Sequence, residues 1–195
     1  LSRFIAKDYP FEARRALAKS ADGFSRDHWK QFADLGLLAL PFPEDFGGMN
    51  GNAVDTMLVM EAFGRGLVLE PYLATVVVAG HLIRDAGSAA QKEALLPAIA
   101  GGELILALAH YEPAARYEVS RVDTAAKADG GGWTLSGAQA AVLGGGAADK
   151  LPVSAGTGKG VAVNNRTKAT TYMKMAEVQA GLGFGVKKFH LVWVF

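Results

Sequence analysis

The sequence predicts an α+β fold in which an all-helical N-terminal bundle is followed by a small antiparallel β-barrel or sandwich. Two observations lead to this prediction. Residues 11–100 carry apolar side chains at helical spacing, with capping residues and helix breakers between the segments. From Ala107 onward the apolar runs become short, alternate with polar residues and are separated by turn-forming residues. We therefore predict a helical domain over 1–106 and a β-domain over 107–195.

Three helices are predicted in the first half of this helical domain from their caps and breakers. The segment 11–19 is rich in helix-forming residues, and Pro10 suits its first turn. Ser25 is a good N-cap for a second helix, which Gly36 ends, and Asn52 can cap a third. The apolar stripe expected to fill the core from this third helix consists of Met57, Met60, Phe63 and Leu67.

Two further helices are predicted after residue 70. Pro71 opens the first, 72–86, which is apolar nearly all round and should therefore be buried on several sides. Ser88 and Gln91 form a capping box at the start of the second. This helix runs to about residue 100, with a kink or early stop expected at Pro97.

Short strands are predicted throughout the second half. Asp129 and the glycines that follow it supply a turn between two arms of a hairpin. The predicted strands are 103–110, 119–128, 133–136, 140–143 and 150–155. Two glycine-rich segments, 156–160 and 181–185, lack the spacing of a phosphate-binding loop or a dinucleotide fingerprint and are predicted to be plain loops. Residues after 165 are left unassigned.

Composition excludes several classes of function. The net charge is only +1, without a basic stripe, which argues against binding to nucleic acid. The chain has no cysteine and its four histidines are far apart in sequence, so no metal site is predicted. Proline and charged residues interrupt the apolar block 67–83, and the N-terminus has no signal-peptide core. We expect a cytoplasmic protein that does not insert into a membrane.

Three segments resemble the acyl-CoA dehydrogenase family. Residues 35–48 are similar to the loop after its second helix, and residues 133–137 with 148–149 are similar to the hairpin before its flavin-facing strand. The most specific match is 87–103, which fits the family segment G-S/T-x-x-Q-K-x-x-x-L-P-x-I/L-A-x-G-E at every fixed position. In their amino-acid sequence, residues 67–75 and 147–150 look most like the small subunit of pimeloyl-CoA dehydrogenase-type enzymes.

This resemblance implies an oxidoreductase that uses FAD to dehydrogenate an acyl-CoA thioester at its α,β bond. The substrate could be a dicarboxylyl-CoA such as pimeloyl-CoA, and electrons would pass to an electron-transfer flavoprotein. The resemblance also implies a homo-oligomer, or a hetero-oligomer with a large subunit. The family's catalytic Glu belongs to a C-terminal helical bundle that these 195 residues do not include, so no catalytic residue is assigned and a longer subunit is expected.

The resemblance also suggests where a flavin would bind. The family's x-T-E-P-x-A-G-S-D loop corresponds to residues 110–118, which keep Glu112, Pro113 and Ala115. Tyr111 stands in place of the Thr that reaches the flavin, so backbone contacts would replace side-chain ones at several positions. The implied cofactor-binding residues are Ala109, His110, Tyr111, Arg116, Tyr117, Ala141 and Leu143, with Tyr117 also contacting substrate.

Two alternatives to a complete flavoenzyme stay open. Loss of the family's Thr and aromatic residues at Tyr111, Ala141 and Leu143 favours a non-catalytic partner subunit of a heteromeric acyl-CoA dehydrogenase. A non-enzymatic acyl-CoA binding or regulatory module is supported by the fold alone. Arg116 or Arg121 could meet a carboxylate on the substrate, although surface positions are favoured for both.

Overall fold

The computed structural model describes residues 1–129 and 132–157, together with the backbone of three short strands beyond them. The chain divides into two compact units, Leu1–Leu106 and Ala107–Phe195. Among the described residues, no helix is both long enough and apolar enough to cross a membrane.

The first unit is helical, which confirms the fold class predicted for this half of the chain. Its α-helices are α1 (Ser2–Asp8), α2 (Phe11–Leu17), α3 (Arg26–Asp34), α4 (Ala53–Gly66), α5 (His81–Ala86) and α6 (Ala89–Ala100). A short 3-10 helix, Glu44–Phe46, lies between α3 and α4, and a π-helical stretch, Leu73–Gly80, leads directly into α5.

The predicted caps are confirmed. The Ser25 side chain accepts a backbone N–H from the first turn of α3. In α4, the Asn52 side chain accepts backbone N–H groups, and the Asp55 carboxylate accepts the backbone N–H of Asn52 at 2.8 Å. Ser88 and Gln91 make the same reciprocal pair at the start of α6. These local bonds satisfy N–H groups that a helix start otherwise leaves unpaired.

The buried face of α4 agrees only in part with the prediction, because Phe63 packs into the core whereas Met57 and Leu67 do not. Met57 and Leu67 are 56% and 55% exposed, whereas Thr56, Val59 and Phe63 are buried. Leu67 lies beyond the end of the helix in a left-handed conformation, so it does not continue the helical stripe. Apolar residues occupy two faces of α4, and spacing alone therefore cannot select the buried one.

The segment predicted as one helix over 72–86 begins with π-helical turns instead of α-helical ones. Thr75, which is fully buried, donates its hydroxyl to the Leu106 carbonyl at 2.9 Å and accepts the Leu106 N–H at 3.2 Å. Gly80 lies against Phe42, since a Cβ at this glycine would come within 2.6 Å of the ring. Burial on several sides is confirmed, and these tertiary contacts accompany the wider turn.

A buried carboxylate joins three parts of the helical unit. The side chain of Glu70 has no exposed surface and accepts the Tyr9 hydroxyl at 2.5 Å and the Ser25 N–H at 3.2 Å. His28 Nδ1 lies 3.5 Å from the same carboxylate. Burial, followed by the hydrogen bond to Glu70, raises the pKa of the Tyr9 phenol well above its usual value, so Tyr9 remains the donor. The N-terminal helices are thereby tied to α3 and to the segment after α4.

We expect Glu70→Ala to lower the free energy of unfolding by about 3 kcal/mol, because it leaves a part-buried N–H and a buried hydroxyl without their acceptor. Chemical denaturation measures this loss. The matched control is Glu61→Ala, since Glu61 is half exposed and paired with Arg65 on the surface of α4. The control should change stability by less than about 0.5 kcal/mol. Equal losses in both variants would contradict the role given to Glu70.

The loop between α3 and α4 folds tightly back on itself. The backbone N–H of Asn50 donates to the Phe42 carbonyl at 2.8 Å, and that of Gly51 to the Leu40 carbonyl at 2.7 Å. Gly48 lies directly over the Phe42 backbone, where a Cβ would be 2.0 Å from the carbonyl oxygen. Only glycine fits at this point because the obstacle is backbone, which cannot rotate away.

We expect Gly48→Ala to destabilise the chain by about 3 kcal/mol through this clash. Gly64→Ala provides the contrast, because Gly64 is exposed in α4 and a Cβ there meets nothing within 4 Å. That change should stabilise the chain by about 1 kcal/mol through helix propensity alone. Thermal unfolding of the two variants beside the wild type measures both effects, and a neutral Gly48→Ala would refute the close approach.

The second unit consists of irregular segments and short strands. The strands are β1 (Ala125–Asp129), β2 (Gly132–Ser136), β3 (Ala138–Gln139), β4 (Lys150–Val153), β5 (Lys174–Glu177), β6 (Lys187–Lys188) and β7 (Leu191–Val194). The pairings are antiparallel, β1 with β2, β2 with β7, β3 with β6 and β4 with β5. An antiparallel β second half following a helical first half confirms the α+β class.

The predicted strands are only partly correct. The hairpin arm at 133–136 and the strand from residue 150 are present, and Asp129 pairs with Gly132. Residues 130–131 of the predicted turn lie outside the described residues. The segments 103–110 and 140–143 are not regular strands, and 119–128 is a strand only from Ala125. Residues 158–160 of the loop predicted at 156–160, and the whole loop predicted at 181–185, lie outside the described residues.

Candidate functional site

Residues 111–121 form an irregular loop built from successive tight turns. Backbone N–H groups donate three residues back along the chain, from Ala115 to Glu112, from Glu118 to Ala115 and from Arg121 to Glu118. Arg116 adopts a left-handed conformation with φ +49°. Within loop 111–121 only Glu112 and Ala115 are buried. The loop therefore presents most of its side chains to solvent and depends on a few contacts for its position.

The ring of His110 contacts both loop 111–121 and the residue that follows strand β4. Its Nδ1 atom lies 2.9 Å from the Ser154 hydroxyl, and its Nε2 atom lies 2.8 Å from the Val119 carbonyl. Ser154 follows β4 directly, and its backbone N–H donates to the Ala109 carbonyl at 3.1 Å. His110 therefore links the end of a strand to the far end of the loop.

A buried carboxylate holds the loop from its inner side. Glu112 accepts the backbone N–H groups of Asp123 and Thr124 at 2.7 and 2.8 Å. The Gln139 amide donates to Glu112 at 3.2 Å and to the Thr124 hydroxyl at 2.9 Å. Gly137 completes the cluster, because a Cβ there would lie 2.2 Å from the Thr124 hydroxyl. These bonds also explain why 119–124 does not form a strand, since two of its N–H groups point at Glu112 instead.

The cofactor-binding residues predicted from the sequence fall into a buried and an exposed group. Ala109 is buried and forms a bridge with Val153. Its backbone N–H donates to the Pro152 carbonyl, and its carbonyl accepts the Ser154 N–H. His110 is part-buried and engaged as described above. The exposed members are Tyr111, Arg116, Tyr117, Ala141 and Leu143.

One backbone hydrogen bond brings two parts of the predicted site together. The Ala140 N–H donates to the Tyr111 carbonyl at 2.7 Å. This bond sets the segment that contains Ala141 and Leu143 beside the start of loop 111–121. Ala141 has φ +51°, which interrupts the strand predicted there. Tyr117, in contrast, is 99% exposed at the outer turn of the loop.

The sequence prediction missed three residues that shape this region, Thr124, Gln139 and Ser154. Each is a small or neutral polar residue in a run that otherwise reads as strand. A sequence signal existed only for Glu112, a charged residue followed by proline within an apolar segment. Its partners could be found only from the three-dimensional arrangement.

Charged groups near the loop are paired on the surface. Arg121 donates to both oxygens of Asp123, with Nη2 to Oδ2 at 2.9 Å. This hydrogen bond raises the pKa of the exposed Arg121 guanidinium, so Arg121 stays charged and engaged. Among the described residues, no group of three or more His, Cys, Asp or Glu side chains is placed to hold a metal ion.

We expect Glu112→Ala to destabilise the second unit by about 3 kcal/mol, because two backbone N–H groups lose their acceptor and the buried Gln139 amide loses one of its two. Hydrogen exchange at the amides of Asp123 and Thr124 measures the local effect, and denaturation measures the total. Glu118→Ala is the matched control on the same loop, since its side chain is exposed. This control should change stability by less than about 0.5 kcal/mol. Unchanged exchange at both amides in Glu112→Ala would contradict the assignment.

Comparison with known proteins identifies the family to which the chain is similar. Residues 1–103 match the family model described as "Acyl-CoA dehydrogenase, N-terminal domain". The chain is 36% identical over 135 residues to the mitochondrial isovaleryl-CoA dehydrogenase of Pongo abelii, covering 68% of this chain and 32% of the relative. It is 33% identical over 119 residues to the acyl-CoA dehydrogenase FadE12 of Mycobacterium tuberculosis, covering 60% of this chain and 30% of the relative.

The fold is also similar to that of solved structures. A chain of the ChsE4–ChsE5 complex from Mycobacterium tuberculosis superposes with a TM-score of 0.73 at 28% identity, covering 83% of this chain and 43% of the other. The present chain thus spans less than half the length of each of these three proteins. The family match extends over more than half of the chain and includes the helical unit almost completely. The chain belongs to the acyl-CoA dehydrogenase family.

Proposed function

We propose that this chain is the N-terminal and flavin-facing part of an FAD-dependent acyl-CoA dehydrogenase. The observation that carries the proposal is the construction of loop 111–121. Its inner side is held by His110 and Glu112, while Tyr111 and Leu143 remain exposed. The bond from the Ala140 N–H to the Tyr111 carbonyl joins the segments that carry these two side chains. A rigid backbone with exposed apolar side chains suits a flat aromatic ring.

The residues of the site fit a flavin that is held by packing and by main-chain groups. Tyr111 is 54% exposed and Leu143 is 59% exposed, so both offer apolar surface to a ligand. Neither Ala141 nor Leu143 has a side chain that can form a hydrogen bond, and backbone N–H and C=O groups would serve that purpose. Arg116 and the Tyr117 hydroxyl add exposed polar groups at the outer turn, where acyl-CoA would bind beside Tyr117.

When bound, FAD would supply the chemistry of hydride acceptance from the acyl-CoA thioester. The chain's own contribution is to orient the ring and to keep loop 111–121 fixed while substrate binds. No residue of this chain is assigned as the base, and the family's Glu is expected in sequence beyond these 195 residues. The same proposal includes a dicarboxylyl-CoA such as pimeloyl-CoA as the substrate. It also includes transfer of electrons to an electron-transfer flavoprotein and a cytoplasmic location.

A second candidate is a partner subunit that contributes interface and part of a flavin site to a large subunit. The absence of hydroxyl and aromatic side chains at Ala141 and Leu143 favours it. One of the similar structures is that of a complex, ChsE4–ChsE5. For this chain, association with a second subunit is therefore part of the proposal.

The deciding experiment is to purify the product of the full reading frame, alone and together with any co-purifying subunit. Flavin absorbance and acyl-CoA oxidation with an artificial electron acceptor are then measured for both preparations. Flavin and turnover in the single protein support the complete enzyme. Flavin that is present only with the second subunit supports the partner role. Absence of flavin from both preparations would overturn the proposal.

We expect Tyr111→Ala and Leu143→Ala each to weaken FAD binding by about tenfold, because each removes apolar surface that packs on the ring. Titration of apoprotein with FAD, followed by fluorescence, gives the dissociation constants. Val119→Ala is the control, since Val119 is 59% exposed on the same loop but is not a proposed contact. Equal affinities in all three variants would show that the ring does not pack on Tyr111 and Leu143.

A further inference from the structure

We propose that His110 is a positioning residue for loop 111–121, through one hydrogen bond at each of its two ring nitrogens. The inference rests on the proposed function, in which this loop faces the flavin. It assigns to the His110 side chain a role that differs from direct contact with the cofactor. The ring would hold the loop in the arrangement that presents Tyr111 and the outer turn to a ligand.

The hydrogen-bond partners determine the tautomer of His110. The Val119 carbonyl oxygen can only accept, so the Nε2 atom that lies 2.8 Å from it must carry a hydrogen. In the neutral ring Nδ1 is then an acceptor, and the Ser154 hydroxyl 2.9 Å away donates to it. Each nitrogen therefore has a defined partner, and these two hydrogen bonds fix the orientation of the ring.

The two partners differ in how firmly they are held. Ser154 follows β4, and its N–H is bonded to the Ala109 carbonyl, so it belongs to the paired part of the unit. Val119 lies on the loop, is 59% exposed and contributes its carbonyl rather than its side chain to the contact. The ring consequently holds the far end of the loop at a fixed distance from the end of strand β4.

His110 and Glu112 hold different segments. Glu112 bonds the N–H groups of residues 123 and 124, which lie after the loop. His110 bonds Val119, which lies within it. Between these points the loop is held by its own tight turns, and its outer residues, including Arg116 and Tyr117, are exposed. Loss of the His110 bond should therefore release the outer turns while the Glu112 cluster stays intact.

The position of the ring also bears on Tyr111. The two ring centroids lie 5.7 Å apart with a tilt of 59°. The tyrosine carbonyl is already fixed by the Ala140 N–H, so the remaining freedom of Tyr111 is mainly in its side chain. A fixed imidazole beside it restricts that freedom and reduces the entropy lost when a ligand packs on the phenol ring.

The test uses the full-length protein carrying His110→Phe, His110→Gln or Ser154→Ala. Phe keeps a ring of similar size but removes both hydrogen bonds, whereas Gln can still donate to the Val119 carbonyl. Ser154→Ala removes only the partner of Nδ1. The first readout is hydrogen exchange of amides 114–121 in flavin-free protein, and the second is affinity for FAD.

We expect His110→Phe to accelerate exchange by about tenfold at the hydrogen-bonded amides of this stretch, 115, 118 and 121, and to leave amides 123 and 124 unchanged. His110→Gln should restore most of the protection, and Ser154→Ala should give an intermediate result. FAD affinity should follow the same order, with about a tenfold loss for His110→Phe. In the wild type, nitrogen NMR should find the hydrogen on Nε2 of His110.

Unchanged exchange in His110→Phe would overturn the inference, as would a hydrogen on Nδ1 instead of Nε2. A failure of the proposed function looks different, because wild-type protein would then bind no FAD while the exchange pattern of the variants still followed the expected order. If exchange changes as expected and wild type binds FAD, but affinity is equal in all variants, the loop does not position the cofactor and the inference fails.

Discussion

The second unit depends on one buried carboxylate. A carboxylate removed from water is tolerated only when its oxygens accept hydrogen bonds, and Glu112 obtains them from two backbone N–H groups and the Gln139 amide. These donors come from different segments. The Glu112 side chain therefore sets the path of residues 123–124 and the distance between these residues and β3. The small strands of this unit offer few paired residues, which makes such a link more important than in an extended sheet.

Glu70 serves the helical unit in the same way. It too is buried, and its partners are a tyrosine hydroxyl, a backbone N–H and a nearby histidine, which belong to segments distant in sequence. Both carboxylates immediately precede a proline, at Pro71 and Pro113, where the chain changes direction. In each unit an irregular segment is thus defined by polar bonds to one acidic side chain, while apolar packing supplies the surrounding core.

How far the sequence could predict this structure depends on the range of the interactions involved. Caps at Ser25, Asn52 and Ser88 were predictable because their partners lie within three residues. The buried face of α4 was not, since apolar residues occupy two faces and only the tertiary fold selects Val59 over Met57. At the candidate site, the family motif located loop 111–121, whereas the links of Glu112 to Gln139 and of His110 to Ser154 join residues 27 and 44 positions apart.

The division of loop 111–121 into a held inner side and an exposed outer side has a consequence for function. Replacing an exposed side chain such as Tyr111 or Tyr117 removes little packing, so these exposed residues can change without loss of the fold. Replacing Glu112 breaks bonds on which the path of the chain depends. The motif positions that this chain shares with its family include the buried Glu112, and those that differ are exposed. The inner contacts therefore fix the course of the loop. Under the proposed function, cofactor affinity and substrate choice would be set by side chains that the fold leaves free to vary.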